Sequence, residues 1–242
     1  MKKEVVTPYN KESSKKEQVA EMFNNIAGNY DFLNHFLSMG IDILWRKKAI
    51  RILGKDNPQH IVDIATGTGD FALEALSIAP QKITGIDISE KMLEVGREKM
   101  KKKKVDHIVE MKLGDSENLP LASDSVDAVT VSFGVRNFEN LEKGLAEMHR
   151  ILKPGCKTVI IEFSKPENFP IKQLYNFYFL NILPAIGKLV SKDPRAYTYL
   201  PESVNAFPYG KKFIGIMDKV GYKNVKAIPL TFGIASIYIG EK

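Results

Sequence analysis

From His60 to Phe163 the sequence runs through short β-like segments punctuated by helical ones. The β-like segments are His60–Ala65, Lys82–Asp87, His107–Leu113, Ser125–Ser132 and Lys157–Phe163. Helical patterns cover Asp70–Ala79, then a stretch capped by Ser89 with Glu90 in its first turn that runs to about Lys103, and Leu141–Leu152, closed by Lys153-Pro154-Gly155. Strands that alternate with helices in this way are far enough apart to be joined by crossovers, and the repetition calls for parallel pairing, in a sheet covered on both faces.

The C-terminal third breaks the alternation. Residues 171–190 and about 202–219 read as helices, and Asn224–Leu230 and Ile234–Gly240 read as strands. The link between those strands, Thr231-Phe232-Gly233, is too short for a crossover, so the pair must be antiparallel. At the other end, residues 1–18 are polar and read as frayed. Val19 to about Leu53 reads as helical, with Phe23, Ile26, Tyr30, Leu33 and Leu37 at three- and four-residue steps, before a turn at Asn57-Pro58. The 242 residues suffice for one large α/β domain.

Composition narrows the setting. Cys156 is the single cysteine, which excludes an internal disulfide framework and suits a reducing compartment. The first residues lack the apolar core of a secretion signal. A net charge of +6 is compatible with nucleic acid, an anionic membrane surface or an acidic ligand. The basic run Lys101–Lys104 follows a helix, where cations suit the dipole, and reads as a solvated helix end. Ile171–Val190 is the most apolar long stretch, but it carries Lys172, Gln173, Asn176, Asn181, Pro184 and Lys188, several of which a spanning helix would bury at a cost of kilocalories each. It reads as an aromatic-rich helix broken at Pro184.

Gly67 and Gly69, in the run VDIATGTGDF, stand at the carboxyl end of the first strand, where open α/β sheets bind ligands. Without Cβ atoms the chain can turn sharply there and a ligand can approach the backbone. Asp87 closes the second strand, where a carboxylate commonly accepts hydrogen bonds from ribose hydroxyls. Gly114-Asp115-Ser116 closes the third, where an adenine bound beside that ribose would lie. Gly67-x-Gly69-x-x-Ala72 also satisfies a permissive NAD fingerprint. Asp70 disfavours that alternative, because it puts a carboxylate at the helix start that a pyrophosphate would need; a sulfonium cofactor tolerates it better. Asp63, inside a strand covered on both faces, also implies a polar ligand or loop nearby.

Taken in order, Val62–Asp87 and the terminal hairpin resemble the class I S-adenosylmethionine-dependent methyltransferases. The resemblance is closer still to the C-methyltransferases of ubiquinone and menaquinone biosynthesis, and runs from about Glu17 to Lys242. It is carried by Tyr30-Asp31-Phe-Leu-Asn34, Leu37-Ser38-Met39-Gly40, Trp45-Arg46, Ser132-Phe-Gly-Val-Arg136-Asn137, Arg150-Ile-Leu-Lys-Pro-Gly155 through Glu162-Phe-Ser164, Tyr197, Leu200, Glu202-Ser203 and Leu230-Thr-Phe-Gly233. Three positions depart from the family pattern: Asp42 where a histidine is usual, Cys156 where a second glycine is usual, and Ala65-Thr66-Gly67 where Gly-Gly is frequent. Cys156 reads as a turn variant and not as a nucleophile.

The resemblance implies a Rossmann-like α/β fold: a seven-stranded, mostly parallel sheet with an antiparallel terminal strand and helices on both faces. It implies residues 1–55 as an N-terminal helical cap on a methyltransferase domain, 56–242, with a helical insertion at about 165–220. S-adenosylmethionine is the implied cofactor, held by Thr66, Gly67, Gly69, Asp87, Asp115, Ser116 and Ser132, with Thr66 aiming its N–H and hydroxyl at it. The implied substrate is a polyprenylated quinol, most of all demethylmenaquinol. Arg136 and Asn137, at the mouth of the site, and Tyr30, on the cap, are the implied catalytic residues. A guanidinium keeps its proton, so Arg136 would hold a phenolate or orient a water and not act as the base itself. No metal and no nucleic-acid partner are expected. Tyr175, Phe177, Tyr178, Phe179, Leu180, Ile182 and Leu183 read equally as a channel for an isoprenoid tail and as a core or homodimer helix. The expected location is the cytoplasm, with peripheral contact at the inner face of the membrane. Other readings are a methyltransferase for another small molecule, an NAD-dependent oxidoreductase, and a scaffold without catalysis.

Overall fold

In this computed structural model, which describes residues 6–9, 11–182 and 193–242, the strands are β1 (His60–Ile64), β2 (Lys82–Asp87), β3 (Val109–Leu113), β4 (Val126–Ser132), β5 (Leu152–Phe163), β6 (Lys223–Leu230) and β7 (Ala235–Glu241). They form one sheet in the order β3-β2-β1-β4-β5-β7-β6. The first five are parallel, and β7 runs antiparallel to both β5 and β6. Alternation along each strand splits the core in two. Ile61, Ile83, Val159 and Ile237 face a layer that includes Trp45, Ile50, Phe71 and Leu93; Val62, Ile86, Val129, Ile160 and Tyr238 face Leu145, Met148, Phe213 and Met217. The helices behind these residues are α3 (Ile41–Leu53), α4 (Asp70–Ala75) and α5 (Glu90–Lys102) on one side, α6 (Leu141–Ile151) and α9 (Lys211–Val220) on the other.

The N-terminal segment is more ordered than its composition suggests. α1 starts at Lys15, inside the stretch read as frayed, and ends at Ile26. Ser14 caps it reciprocally with Glu17, and Gln18 is fully buried. The single helical pattern read over Val19–Leu53 is three helices, α1, α2 (Tyr30–Leu37) and α3. A tight turn at Ala27–Asn29 and Gly40, with φ of 72°, break it.

Three further boundaries differ from the sequence reading. Lys153-Pro154-Gly155 does not separate a helix from a strand but lies within β5, where the pairing with β4 shifts register. The helix read over 202–219 is two: α8 (Pro194–Ala206), entered through Pro194 and capped by Asp193, and α9. Phe207–Gly210 separates them. α7 covers Ile171–Phe177 and continues as a wide turn to Ile182; the break read at Pro184, with Leu183 and Lys188, lies outside the described residues.

Tyr238 is fully buried in β7, and its hydroxyl accepts the Gly210 N–H at 2.7 Å at the start of α9. Tyr238→Phe removes that acceptor and keeps the ring. It should cost about 1–3 kcal/mol, read as a drop of roughly 2–4 °C in Tm per kcal/mol. An unchanged Tm would mean that the N–H finds another partner.

Candidate active site

The loop after β1 is wound tightly. Ala65, Gly67 and Gly69 all have positive φ, 52°, 57° and 84°. The Gly67 N–H donates to Asp87 Oδ2 at 2.7 Å, and the Ser89 N–H donates to Oδ1 at 2.9 Å. One carboxylate therefore joins the tips of β1 and β2. Burial pushes the Asp87 carboxyl above its ordinary value, against the N–H groups of Ser89, Gly67 and Ile88, which favour the charged form. Each oxygen keeps a lone pair for a further donor.

Two loop residues do something other than the sequence suggests. The Thr66 N–H donates to the Ile86 carbonyl at 3.1 Å, and its hydroxyl donates to Asp63 Oδ2 at 2.6 Å. Thr66 thus directs neither group at a ligand; it shields Asp63, whose other oxygen accepts from Thr130 at 2.8 Å. This also supplies the polar partner that Asp63 needed inside its strand. Gly69 does not line the cavity either. A Cβ there would run into the Met100 methyl and come within 3.3 Å of the Met111 methyl, so this glycine serves packing beneath the loop.

The cavity opens at the carboxyl ends of β1, β2 and β4. Ile64, Asp87 and Ser132 lie along its base, with Gly67 beside them; Gly114, Asp115 and Ser116 form one end. The N-terminal helices α1 and α2 supply a wall from Lys16, Val19, Phe23 and Tyr30. Lys16, Val19 and Phe23 were not foreseen: Lys16 falls in the stretch read as frayed, and Val19 and Phe23 read only as helix positions; their three- and four-residue spacing was the available signal. Lys16 sits 2.5 Å from Asp115 Oδ2, while Asp115 Oδ1 accepts the Glu117 N–H at 2.9 Å. Asp115 is thus already engaged at the rim. Two atoms on this wall are buried and lack a partner among the described residues, Ser132 Oγ and Asn137 Oδ1.

Arg136 and Asn137 share a short turn after β4 but face different ways. Asn137 lines the cavity, as does Tyr30, whose hydroxyl is pushed up by burial. Arg136 pairs instead with Glu162 at the end of β5, Nη1 to Oε1 at 2.9 Å, and lines an adjoining cleft with Lys15, Ser203 and Phe207. Its Nε is buried without a partner among the described residues. Glu162, fully buried, is pushed up by burial against the pull of Arg136.

Asp70 proves a poor argument against a pyrophosphate. Its carboxylate is turned to Lys99 at 2.8 Å, His35 at 3.2 Å and Arg46 at 3.5 Å. Burial raises it, but Lys99, Arg46 and His35 outweigh burial and hold it below the usual carboxylate range. Asp42 joins the same network, accepting from His35 at 2.9 Å and from Arg46, where a histidine would have been the family habit.

Solved structures with this architecture include a SAM-dependent methyltransferase from Aquifex aeolicus, at 21% identity and a TM-score of 0.54 over 75% of this chain and 81% of that one. They also include the [4+2]-cyclase SpnF, at 17% identity and a TM-score of 0.59 over 94% and 96%. The chain therefore has the fold of the class I methyltransferases, a fold that also houses a cyclase. Sequence decides further. The chain belongs to the ubiE/COQ5 methyltransferase family, whose model matches residues 11–242. It is 47% identical to the demethylmenaquinone methyltransferase of Bacteroides fragilis over 99% of this chain and 98% of that one. It is 46% identical to the ubiquinone/menaquinone biosynthesis C-methyltransferase UbiE of Geotalea daltonii over 95% and 98%.

Asp63 gives the site a pH signature. Burial pushes its carboxyl up to about 7, against the hydrogen bonds from Thr66 and Thr130. A carboxyl raised on folding takes up a proton, so its stabilising contribution is full near pH 4 and is lost as pH rises to about 7. Asp63→Asn has no proton to gain. Urea denaturation should show the stability of the wild type relative to Asp63→Asn falling over that window; a flat difference would show that Asp63 titrates normally.

Proposed function

We propose that this protein transfers a methyl group from S-adenosylmethionine to a ring carbon of a polyprenylated quinol, with demethylmenaquinol as the preferred substrate. The observation that carries the reading is the 47% identity, along essentially the whole of both chains, to a relative named for that reaction. The cavity fits the cofactor. Asp87 retains acceptor capacity at the position for ribose hydroxyls, Gly67 leaves its backbone approachable, and Ser132 Oγ and Asn137 Oδ1 are buried polar atoms in want of a ligand.

The bound cofactor supplies an electrophilic methyl on a sulfonium. The chain supplies position and charge. Asp87, Ser116, Ser132 and Asn137 hold the nucleoside and amino-acid ends, with Asp115 at the rim. Asp63 and Thr66 hold the loop in shape from behind. A ring carbon is a weak nucleophile, and loss of a phenolic proton strengthens it. Arg136 favours the resulting phenolate, and Glu162 fixes the guanidinium for that purpose. Tyr30 closes the cavity from the cap. Correct placement of carbon, methyl and sulfur supplies several kcal/mol more.

Residues 1–55 act as a cap on the methyltransferase domain, 56–242, and about 165–220 as its helical insertion. Together they meet the bilayer that holds the substrate tail. Phe32, Phe36 and Met39 on the cap, and Leu174, Phe177 and Leu180 on the insertion, are 57–79% exposed, and the Tyr178 hydroxyl donates to the Leu37 carbonyl between the two. Among the described residues no helix is long and apolar enough to cross a membrane. The proposed mode of approach is a peripheral contact at the inner face. Phe36→Ser combined with Leu180→Ser should weaken sedimentation with phosphatidylglycerol vesicles severalfold; equal sedimentation would remove this surface from the contact.

Purified enzyme, S-adenosylmethionine and demethylmenaquinol or demethylated benzoquinol in detergent should yield a product heavier by one methyl, with the naphthoquinol favoured. Calorimetric titration should show binding of S-adenosylhomocysteine and none of NADH. Arg136→Ala should reduce turnover by about 10²-fold or more while leaving S-adenosylhomocysteine affinity nearly unchanged. Equal losses in both would remove Arg136 from the chemistry, and NADH binding alone would overturn the assignment.

A further inference from the structure

Two tyrosines outside the cofactor cavity carry hydroxyls that the fold leaves without a partner. Tyr175, on α7, and Tyr199, on α8, are 8% and 2% exposed, and among the described residues neither hydroxyl has a hydrogen-bond partner. An unpaired buried hydroxyl costs about 1–3 kcal/mol, and native interiors avoid it unless something fills the place. The same is true of Arg136 Nε. Three orphaned donors thus occur on three elements that converge. Tyr175 stacks on Phe179 at 4.3 Å, Phe179 meets Phe163 edge-on at 5.8 Å, and the Arg136 guanidinium lies 5.4 Å from the Phe163 ring centre. Tyr199 packs with Val19, Met22 and Leu33 of the cap, on a helix that borders the Arg136 turn. The charges of Arg136 and Glu162 reach both hydroxyls.

We infer that Tyr175 and Tyr199 donate hydrogen bonds to a ring oxygen of the phenolic substrate, beside the Arg136 guanidinium. The inference rests on the methyl-transfer reading above and assigns the substrate side of that site. The chemistry favours donation over proton abstraction. Burial pushes both hydroxyls up, Tyr199 to about 12, so both stay protonated at neutral pH. All three orphaned groups then present hydrogens, and the complement of several hydrogens beside a guanidinium is an oxygen bearing negative charge. A quinol that has lost one phenolic proton presents such an oxygen on the ring that must become electron-rich. Glu162 is neutralised by Arg136 at 2.9 Å and does not repel it.

The test uses Tyr175→Phe and Tyr199→Phe, which keep the rings and remove only the hydroxyls. Wild-type turnover of the quinol is measured first; its absence would refute the methyl-transfer reading itself. With an active wild type, each variant should lose about 10- to 100-fold in kcat/KM for the quinol. S-adenosylhomocysteine affinity should stay within error, and the Tm of the free enzyme should hold or rise, because each substitution removes an unpaired buried hydroxyl. The acid limb of the kcat–pH profile should move to higher pH, because donors that favoured the phenolate are gone. Unchanged kcat/KM in both variants, or a loss with an unmoved pH profile, would overturn the inference. Should one variant fail to fold, the other carries the same three readouts.

Discussion

One buried carboxylate governs the geometry of this protein's ligand-binding end. Asp87 accepts from the Gly67 and Ser89 N–H groups, which come from the loops that leave β1 and β2. A helix start and a strand-to-helix turn are thereby fixed to one another. α1 leans on the same spot: Asn24 Oδ1 accepts from the Ser89 hydroxyl at 2.8 Å. Asp63, Thr66 and Thr130 form a second polar layer behind the loop. The loops are thus held to one another where they must match a ligand, and two of the unmatched polar atoms, Ser132 Oγ and Asn137 Oδ1, lie on the cavity lining.

A charged network among the helices α2 to α5 plays a complementary part. Lys99 reaches both Asp31 and Asp70, while Arg46 and His35 join Asp42 to Asp70. These groups come from α2, α3, α4 and α5. Most of these pairs join different elements, which ties α2 and α3 to α4 and α5 more specifically than apolar contact would. Single exposed ion pairs contribute little; a partly buried network of this size penalises any sliding of the cap, because displacement strands several charges together.

The sheet was legible in the sequence because period and punctuation agree there. The ends of β1 and β2 were read within a residue, and the three-residue link Thr231–Gly233 fixed the sense of the hairpin. The cap was less legible. Its helices carry polar faces turned toward other polar groups, so Lys15–Gln18 show no apolar rhythm although Gln18 is fully buried. Gly67, Asp87, Asp115, Ser116 and Ser132 line the cavity at the strand ends, whereas Thr66 and Gly69 turn to the packing behind it. Local sequence shows that a threonine or a glycine stands in a loop, not whether it faces the ligand or the core. The opposite facing of Arg136 and Asn137 likewise follows from Glu162, a residue 26 positions later on another strand.

β7, last of the strands along the chain, does not lie at a margin of the sheet but between β5 and β6. During synthesis, β5 therefore keeps an open edge of apolar residues, Val159 to Ile161, until residues 235–241 leave the ribosome. The nascent chain is exposed to mispairing from the synthesis of β5 until that of β7, and loss of residues 235–241 would leave β5 with a sticky edge.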